Sequence, residues 1–147
     1  MASSSAAAVV RRYRSLAARV LAFDAWIGNR DRHGNVKAVT AHPNANFFAA
    51  FDHSHSLLGC ESDADLSLRS LESDENFVQG HPFAPYLQAS EMQQAVRRLQ
   101  LVHSSLIAEA CVEELVDFVP YETQSRLGEL LTQRRDRLAE ILARFCQ

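Results

Sequence analysis

Three short oxygen-bearing side chains, Asp31, Asn35 and Asp52, lie in two polar segments separated by only a short stretch of chain. An aspartate in a loop can accept or orient a hydroxyl proton. An asparagine oxygen and a second carboxylate supply hard ligands for Mg²⁺. These are the parts of a phosphoryl-transfer site, where positioning and charge neutralisation dominate catalysis. A lone Asp31-Arg32-His33 reads as a solvated turn that caps a helix, whereas the same residues with Asn35 and Asp52 read as a site. A competing chemistry takes Asp31, His33, Asp52, His53 and His55 as ligands for Zn²⁺ or Mn²⁺ in a metal-dependent hydrolase. It is the weaker reading, because His-x-His arises often by chance and no paired zinc motif accompanies it.

The elements on either side must hold these residues in place. From Ala6 to Ile27, the residues Val9, Tyr13, Leu16, Val20 and Ile27 recur at helical spacing, which predicts one long amphipathic helix. Gly28 and Asn29 tolerate the left-handed backbone of a helix end and stop it there. Asn29 to Asn35 is then a compact polar loop. Val36–Thr40 and Phe47–Phe51 read as two strands around a turn at His42-Pro43-Asn44-Ala45-Asn46. This hairpin places Asn35 at its start and Asp52 at its end. A second polar loop follows, His53-Ser54-His55-Ser56, whose serines, with Ser67 and Ser70, read as loop hydrogen-bonding residues that are also open to phosphorylation.

Leu66, Leu68 and Leu71 form a short helix or an irregular apolar anchor, and Glu72 to Tyr86, with Gly80, Pro82 and Pro85, reads as loop. Ser90-Glu91-Met92-Gln93 has the form of a capping box and opens a helix that buries Met92, Val96, Leu99 and Leu101. A further helix is expected over Ser105–Phe118, ended by Pro120. The last, Thr123–Phe145, carries Leu127, Leu131, Leu138, Ile141, Leu142 and Phe145 on one stripe. Arg134 falls within that stripe and reads as a snorkelling side chain ahead of a buried ion pair. Arg135, Arg137 and Arg144 read as a solvated face. Trp26 is expected in the core. Asp24 either fastens the polar loop through backbone N–H groups or sits exposed on its helix, and His42, His81 and His103 are expected as surface or capping residues.

The chain has 147 residues, enough for one domain with an ordinary core, and residues 1–8 are expected to be loose. With 47% hydrophobic and 22% charged residues, and only five Gly and four Pro, disordered and collagen-like classes are excluded. The net charge of -3 gives no pull toward nucleic acid or anionic membrane, so nucleic acid is not an expected partner. Three widely spaced cysteines, Cys60, Cys111 and Cys146, fit reduced thiols. No apolar run reaches the length of a membrane span, and Arg11, Arg12 and Arg14 interrupt any signal-like stretch. A cytoplasmic location is the expectation.

Phe23-Asp24-Ala25-Trp26-Ile27-Gly28-Asn29-Arg30-Asp31-Arg32-His33-Gly34-Asn35, with Phe51-Asp52-His53 after a hairpin, resembles a family motif. It is similar to the catalytic and metal-binding loops of the HipA-like and phosphatidylinositol-kinase-like branch of the protein-kinase-like superfamily. That resemblance implies an α+β, mainly helical fold: a protein-kinase-like C-lobe with a catalytic-loop β-hairpin, the N-lobe being absent. It implies Asp31 as the catalytic aspartate, Asn35 and Asp52 as metal ligands, and Asn29 and His33 as residues that shape the catalytic loop. The implied cofactors are Mg²⁺ and ATP, and the implied reaction is phosphoryl transfer to the hydroxyl of a protein, lipid or small molecule. Asn35 follows Asp31 by four positions where the family usually has five. No glycine-rich strand pair precedes Asp31, and Lys37, the sole lysine, follows it. An N-lobe supplied in cis or in trans is therefore the expected partner. The alternative from the same ancestry is a non-catalytic helical interaction module with an apolar patch beside Asp31 and Asp52.

Overall fold

The computed structural model describes residues 3–38, 48–73, 78–113 and 119–143. Among these, helices dominate: α1 (Ser3–Ile27), α2 (Ala64–Ser73), α3 (Ala89–Gln100), α4 (Ser104–Glu113), α5 (Tyr121–Asp136) and α6 (Leu138–Ile141). Two strands, β1 (Val36–Ala38) and β2 (Phe48–Ala50), pair antiparallel with Val36 opposite Ala50 and Ala38 opposite Phe48. The expected turn at His42–Asn46 lies outside the described residues, as do Cys146, Phe145 and the end of the predicted 105–118 helix. No described helix is long and apolar enough to cross a membrane.

α1 is the central element, and its apolar residues divide between two clusters. Its first half, with Ala6, Val10, Tyr13 and Ala17, packs on Phe48 of β2 and on Phe83. Its second half, with Ala18, Leu21, Ala22 and Ala25, packs on Met92, Ala95 and Val96 of α3. α1 is helical from Ser3 and Ala6 is buried, so the segment expected to be loose contributes to the core. The helix is kinked at Tyr13 (φ -129°, ψ 42°), where the Tyr13 ring meets Phe48 with centroids 5.7 Å apart. A third cluster joins Leu68 and Leu71 of α2, Ile107 and Cys111 of α4, and Leu127, Leu130 and Leu131 of α5. Trp26 is partly buried between this cluster and the α1–α3 cluster, and its Nε1 donates to the Leu131 carbonyl at 2.8 Å.

Several expectations are corrected by this packing. The single C-terminal helix is interrupted at Arg137, because its leucine stripe serves two cores. Leu127, Leu130 and Leu131 belong to the α2–α4 cluster, whereas Leu138, Ile141 and Leu142 turn toward α1 and α3. Leu101 is 83% exposed: α3 ends at Gln100, and the tight last turn carries Leu101 off the buried stripe. The reciprocal cap of α3 comes two residues earlier than expected, at Gln88, with Glu91 Oε2 accepting the Gln88 N–H at 2.9 Å. Arg135 is buried and donates to the Val102 carbonyl and to Ser104 Oγ, joining α5 to the α3–α4 connection, so it is not part of a solvated face.

Arg134 does not snorkel. Its guanidinium is buried and donates to the carbonyls of Ala25 and Trp26 in the last turn of α1, and to that of Leu71 in α2. The last carbonyls of a helix lack intrahelical partners and carry partial negative charge, so a cation there satisfies both needs. This contact holds the end of α1 from which the polar loop emerges.

Candidate active site

α1 ends in a Schellman turn. Gly28 takes φ 71°, and the Asn29 N–H reaches back to the Asp24 carbonyl at 2.9 Å. The side chains repeat that link, since Asn29 Nδ2 donates to Asp24 Oδ1 at 2.9 Å. With its own Oδ1, Asn29 accepts the Asp31 N–H at 3.1 Å. Asn29 is thus a buried bracket between the helix end and Asp31, and it is too enclosed to touch a substrate.

The site is organised by Asp24 and Arg32, both buried. Arg32 meets Asp24 side-on, with Nε to Oδ2 at 2.7 Å and Nη2 to Oδ1 at 2.6 Å. Its Nη1 donates to the carbonyls of Asn35 (3.1 Å) and Phe51 (2.8 Å), and Nη2 also reaches His53 Nε2 at 2.9 Å. One guanidinium therefore joins the end of α1, the loop of residues 29–35 and the exit of β2. His81 adds a fourth segment, because its Nε2–H donates to Asp24 Oδ2 at 3.1 Å.

Four donors saturate Asp24, which explains its ionisation. Burial alone pushes its carboxyl up, but the hydrogen bonds from Arg32, His81 and Asn29 outweigh that and hold it below its ordinary 3.8. His81 moves the same way for a different reason. Burial lowers it from 6.5 more strongly than Asp24 raises it, and Nδ1 already accepts the Phe83 N–H at 3.2 Å, leaving no place for a second proton. The expectation that His81 is a surface or capping residue is therefore corrected: it is a buried neutral donor. A group with a lowered folded pKa contributes stability above its unfolded value and loses it as pH falls toward the folded value. His81 should thus cost stability from about pH 6.5 downward, and Asp24 only below its 3.8. Urea unfolding across pH 7 to 5 should show a slope that His81→Gln flattens by up to about 1.4 kcal/mol per pH unit. An unchanged slope in that variant would contradict a neutral, buried His81.

Asp31 and Asn35 come together as expected. Asn35 Nδ2 donates to the Asp31 carbonyl at 3.0 Å and lies 3.5 Å from Asp31 Oδ2. Gly34 (φ 89°) makes the tight return, and the Asn35 N–H closes on the Arg32 carbonyl at 3.3 Å. The strand ladder then continues one step beyond β1 and β2, with the Phe51 N–H donating to the Asn35 carbonyl at 3.1 Å. Asp52 is therefore the residue immediately after the partner of Asn35. Its backbone is left-handed (φ 54°), and its Oδ1 accepts both the N–H (3.2 Å) and Oγ–H (2.6 Å) of Ser54. A short local acceptor is what allows a non-glycine residue to hold that conformation. The two Ser54 bonds, hydroxyl first, also hold the exposed Asp52 carboxyl below its ordinary range.

His33 is exposed and its Nε2 lies 3.0 Å from the Gly80 carbonyl, so it ties the loop to the 78–83 segment. Arg30 makes the other lateral tie, to Glu61 Oε1 at 2.8 Å. His103 Nδ1 accepts the Ser105 N–H at 3.3 Å at the start of α4, in keeping with a capping role. The His and Asp residues of the hydrolase reading do not form a cluster: among the described residues no three His, Cys, Asp or Glu gather as a metal site. His53 Nε2 takes a hydrogen bond from Arg32, and His33 Nε2 meets the Gly80 carbonyl.

The Arg32–His81 half of the network was not foreseen. One signal for it was present, since Asp24 follows Ala17 and Leu21 on the buried stripe of α1, and a carboxylate there needs donors. No protein-family model, curated protein or solved structure matches this chain.

Proposed function

We propose that this chain is the catalytic lobe of a kinase-like phosphotransferase, completed by an N-lobe in cis or in trans. The observation that carries this reading is the contact of Asn35 with Asp31, with Asp52 one residue beyond Asn35's ladder partner. The amide nitrogen of Asn35 is spent on the Asp31 carbonyl, which leaves Oδ1 as its acceptor for a cation. Asp52 keeps one carboxylate oxygen, Oδ2, that Ser54 does not use. An amide oxygen and an ionised carboxylate form a hard oxygen pair that fits Mg²⁺. When bound, Mg²⁺ and ATP supply a transferable γ-phosphoryl group with its charge neutralised.

The chain's own residues do the rest. Asp31, half-buried and held through its backbone by Asn29 and Asn35, would orient an incoming hydroxyl and accept its proton. Asn29, Arg32 and His33 touch no reactant in this scheme and act by positioning. A second reading, a non-catalytic interaction module, is favoured by the exposure of Phe23 (37%) and Phe51 (39%) on residues flanking the site.

Titration with Mn²⁺ as a paramagnetic substitute for Mg²⁺ tests the metal site without any partner. Nuclear magnetic resonance should show selective broadening of amides at residues 31–35 and 51–54, which is lost in Asp52→Asn. Broadening centred elsewhere, or undiminished in that variant, would remove the support for a metal-assisted transferase.

A further inference from the structure

A groove of about 390 Å³ lies beside α1 and α3, floored by Val20 and Phe23 of α1 and by Ala95 and Leu99 of α3, with Ala50 of β2 and His53 at one side. Arg19 and Arg98 stand beside it, one from each helix, and among the described residues no carboxylate lines it. Three surface arginines have acidic neighbours, Arg14 at Glu91, Arg30 at Glu61 and Arg126 at Glu72, whereas among the described residues Arg11, Arg69 and Arg97 do not. Among the described residues, Arg19 and Arg98 have no such partner.

We propose that this groove docks an amphipathic helix of a partner polypeptide, with apolar anchors about one turn apart and Asp or Glu on its flanks. The inference is independent of phosphoryl transfer. A groove bounded by two helices accepts the ridge of a third, and anchors at i and i+4 match such a floor. The small side chain of Ala95 permits close approach there. Two guanidiniums without carboxylate neighbours attract acidic flanks and repel basic ones, which sets partner choice. A small amphiphile fits less well, because such ligands are held where most of their surface is enclosed, and Phe23 remains 37% exposed. His53 also lines the groove and accepts a hydrogen bond from Arg32, so an occupant lies against a residue bonded to the centre of the candidate site.

Selection from a displayed library of helical peptides about four turns long, with randomised faces, tests the proposal on the intact chain. Enriched peptides should carry Asp or Glu beside apolar anchors and bind the Arg19→Glu, Arg98→Glu double variant about 10-fold more weakly or worse. Exchanging their acids for lysine should restore binding to that double variant, which separates charge recognition from damage to the fold. Enrichment of neutral or basic peptides, binding indifferent to the double variant, or no enrichment at all would overturn the proposal. Competitive displacement of every peptide by decanoate alone, at equal sensitivity to both arginines, would assign the groove to a small amphiphile and overturn it as well.

Discussion

With a glycine-rich lobe supplied in cis or in trans, Asp31→Asn is expected to slow phosphoryl transfer by about 100-fold or more, equivalent to about 2.7 kcal/mol of barrier. The substitution is close to isosteric, and the contacts that place residue 31 are mostly backbone ones. Asn29 Oδ1 holds its N–H and Asn35 Nδ2 holds its carbonyl, and neither needs the carboxylate. Folding stability should therefore change by less than about 0.5 kcal/mol, as for most surface substitutions. The loss should appear in kcat rather than in KM for ATP, because the role proposed for Asp31 is on the hydroxyl and Asn35 and Asp52 are untouched. A radiolabel transfer assay at saturating Mg²⁺ measures both constants. An unchanged kcat would remove Asp31 from the chemistry, whatever the metal experiment had found.

Arg32→Ala should have the largest effect on folding, a loss of about 3–5 kcal/mol, because it strands a buried carboxylate. Asp24 would keep only Asn29 and His81 as donors, and His81 is neutral. The carbonyls of Asn35 and Phe51 would also lose the guanidinium that joins the loop to the hairpin. Against a domain stability of about 5–15 kcal/mol, this is a large fraction of the whole. Urea unfolding at pH 7 measures it. Most of the loss should return in Asp24→Leu, Arg32→Leu, which removes the charge along with its partner. A cost near zero for Arg32→Ala alone would mean that Asp24 is neutral or hydrated in the folded chain. The double variant should still lose Mn²⁺ broadening at Asp52, because Arg32 aligns the Phe51 carbonyl beside it.

Local pattern carried much of this architecture. Helical spacing from Val9 to Ile27 marks α1, Gly28 marks its end, and the polar loop followed by β-rich residues marks the hairpin. These features depend on neighbours a few positions apart, so a linear reading finds them. The contact of Asn35 with Asp31 and the pairing of Asn35 with Phe51 were also legible, because a loop followed by two short antiparallel strands returns the chain to its start. The break at Arg137 was not, since both halves of the leucine stripe look alike in sequence and differ only in which cluster lies opposite them.

The sequence by itself determined the helix, the loop and the hairpin, together with the oxygen chemistry they present, through backbone preference and apolar periodicity. Only the tertiary structure decided which charges are buried together. His81 and Arg134 lie far along the chain from Asp24 and Arg32, and nothing in a polar residue's local spacing states whether its donors or acceptors will come from water or from another segment. Their burial is tolerable only once those segments meet, when each desolvated group finds its hydrogen-bonding partners at once.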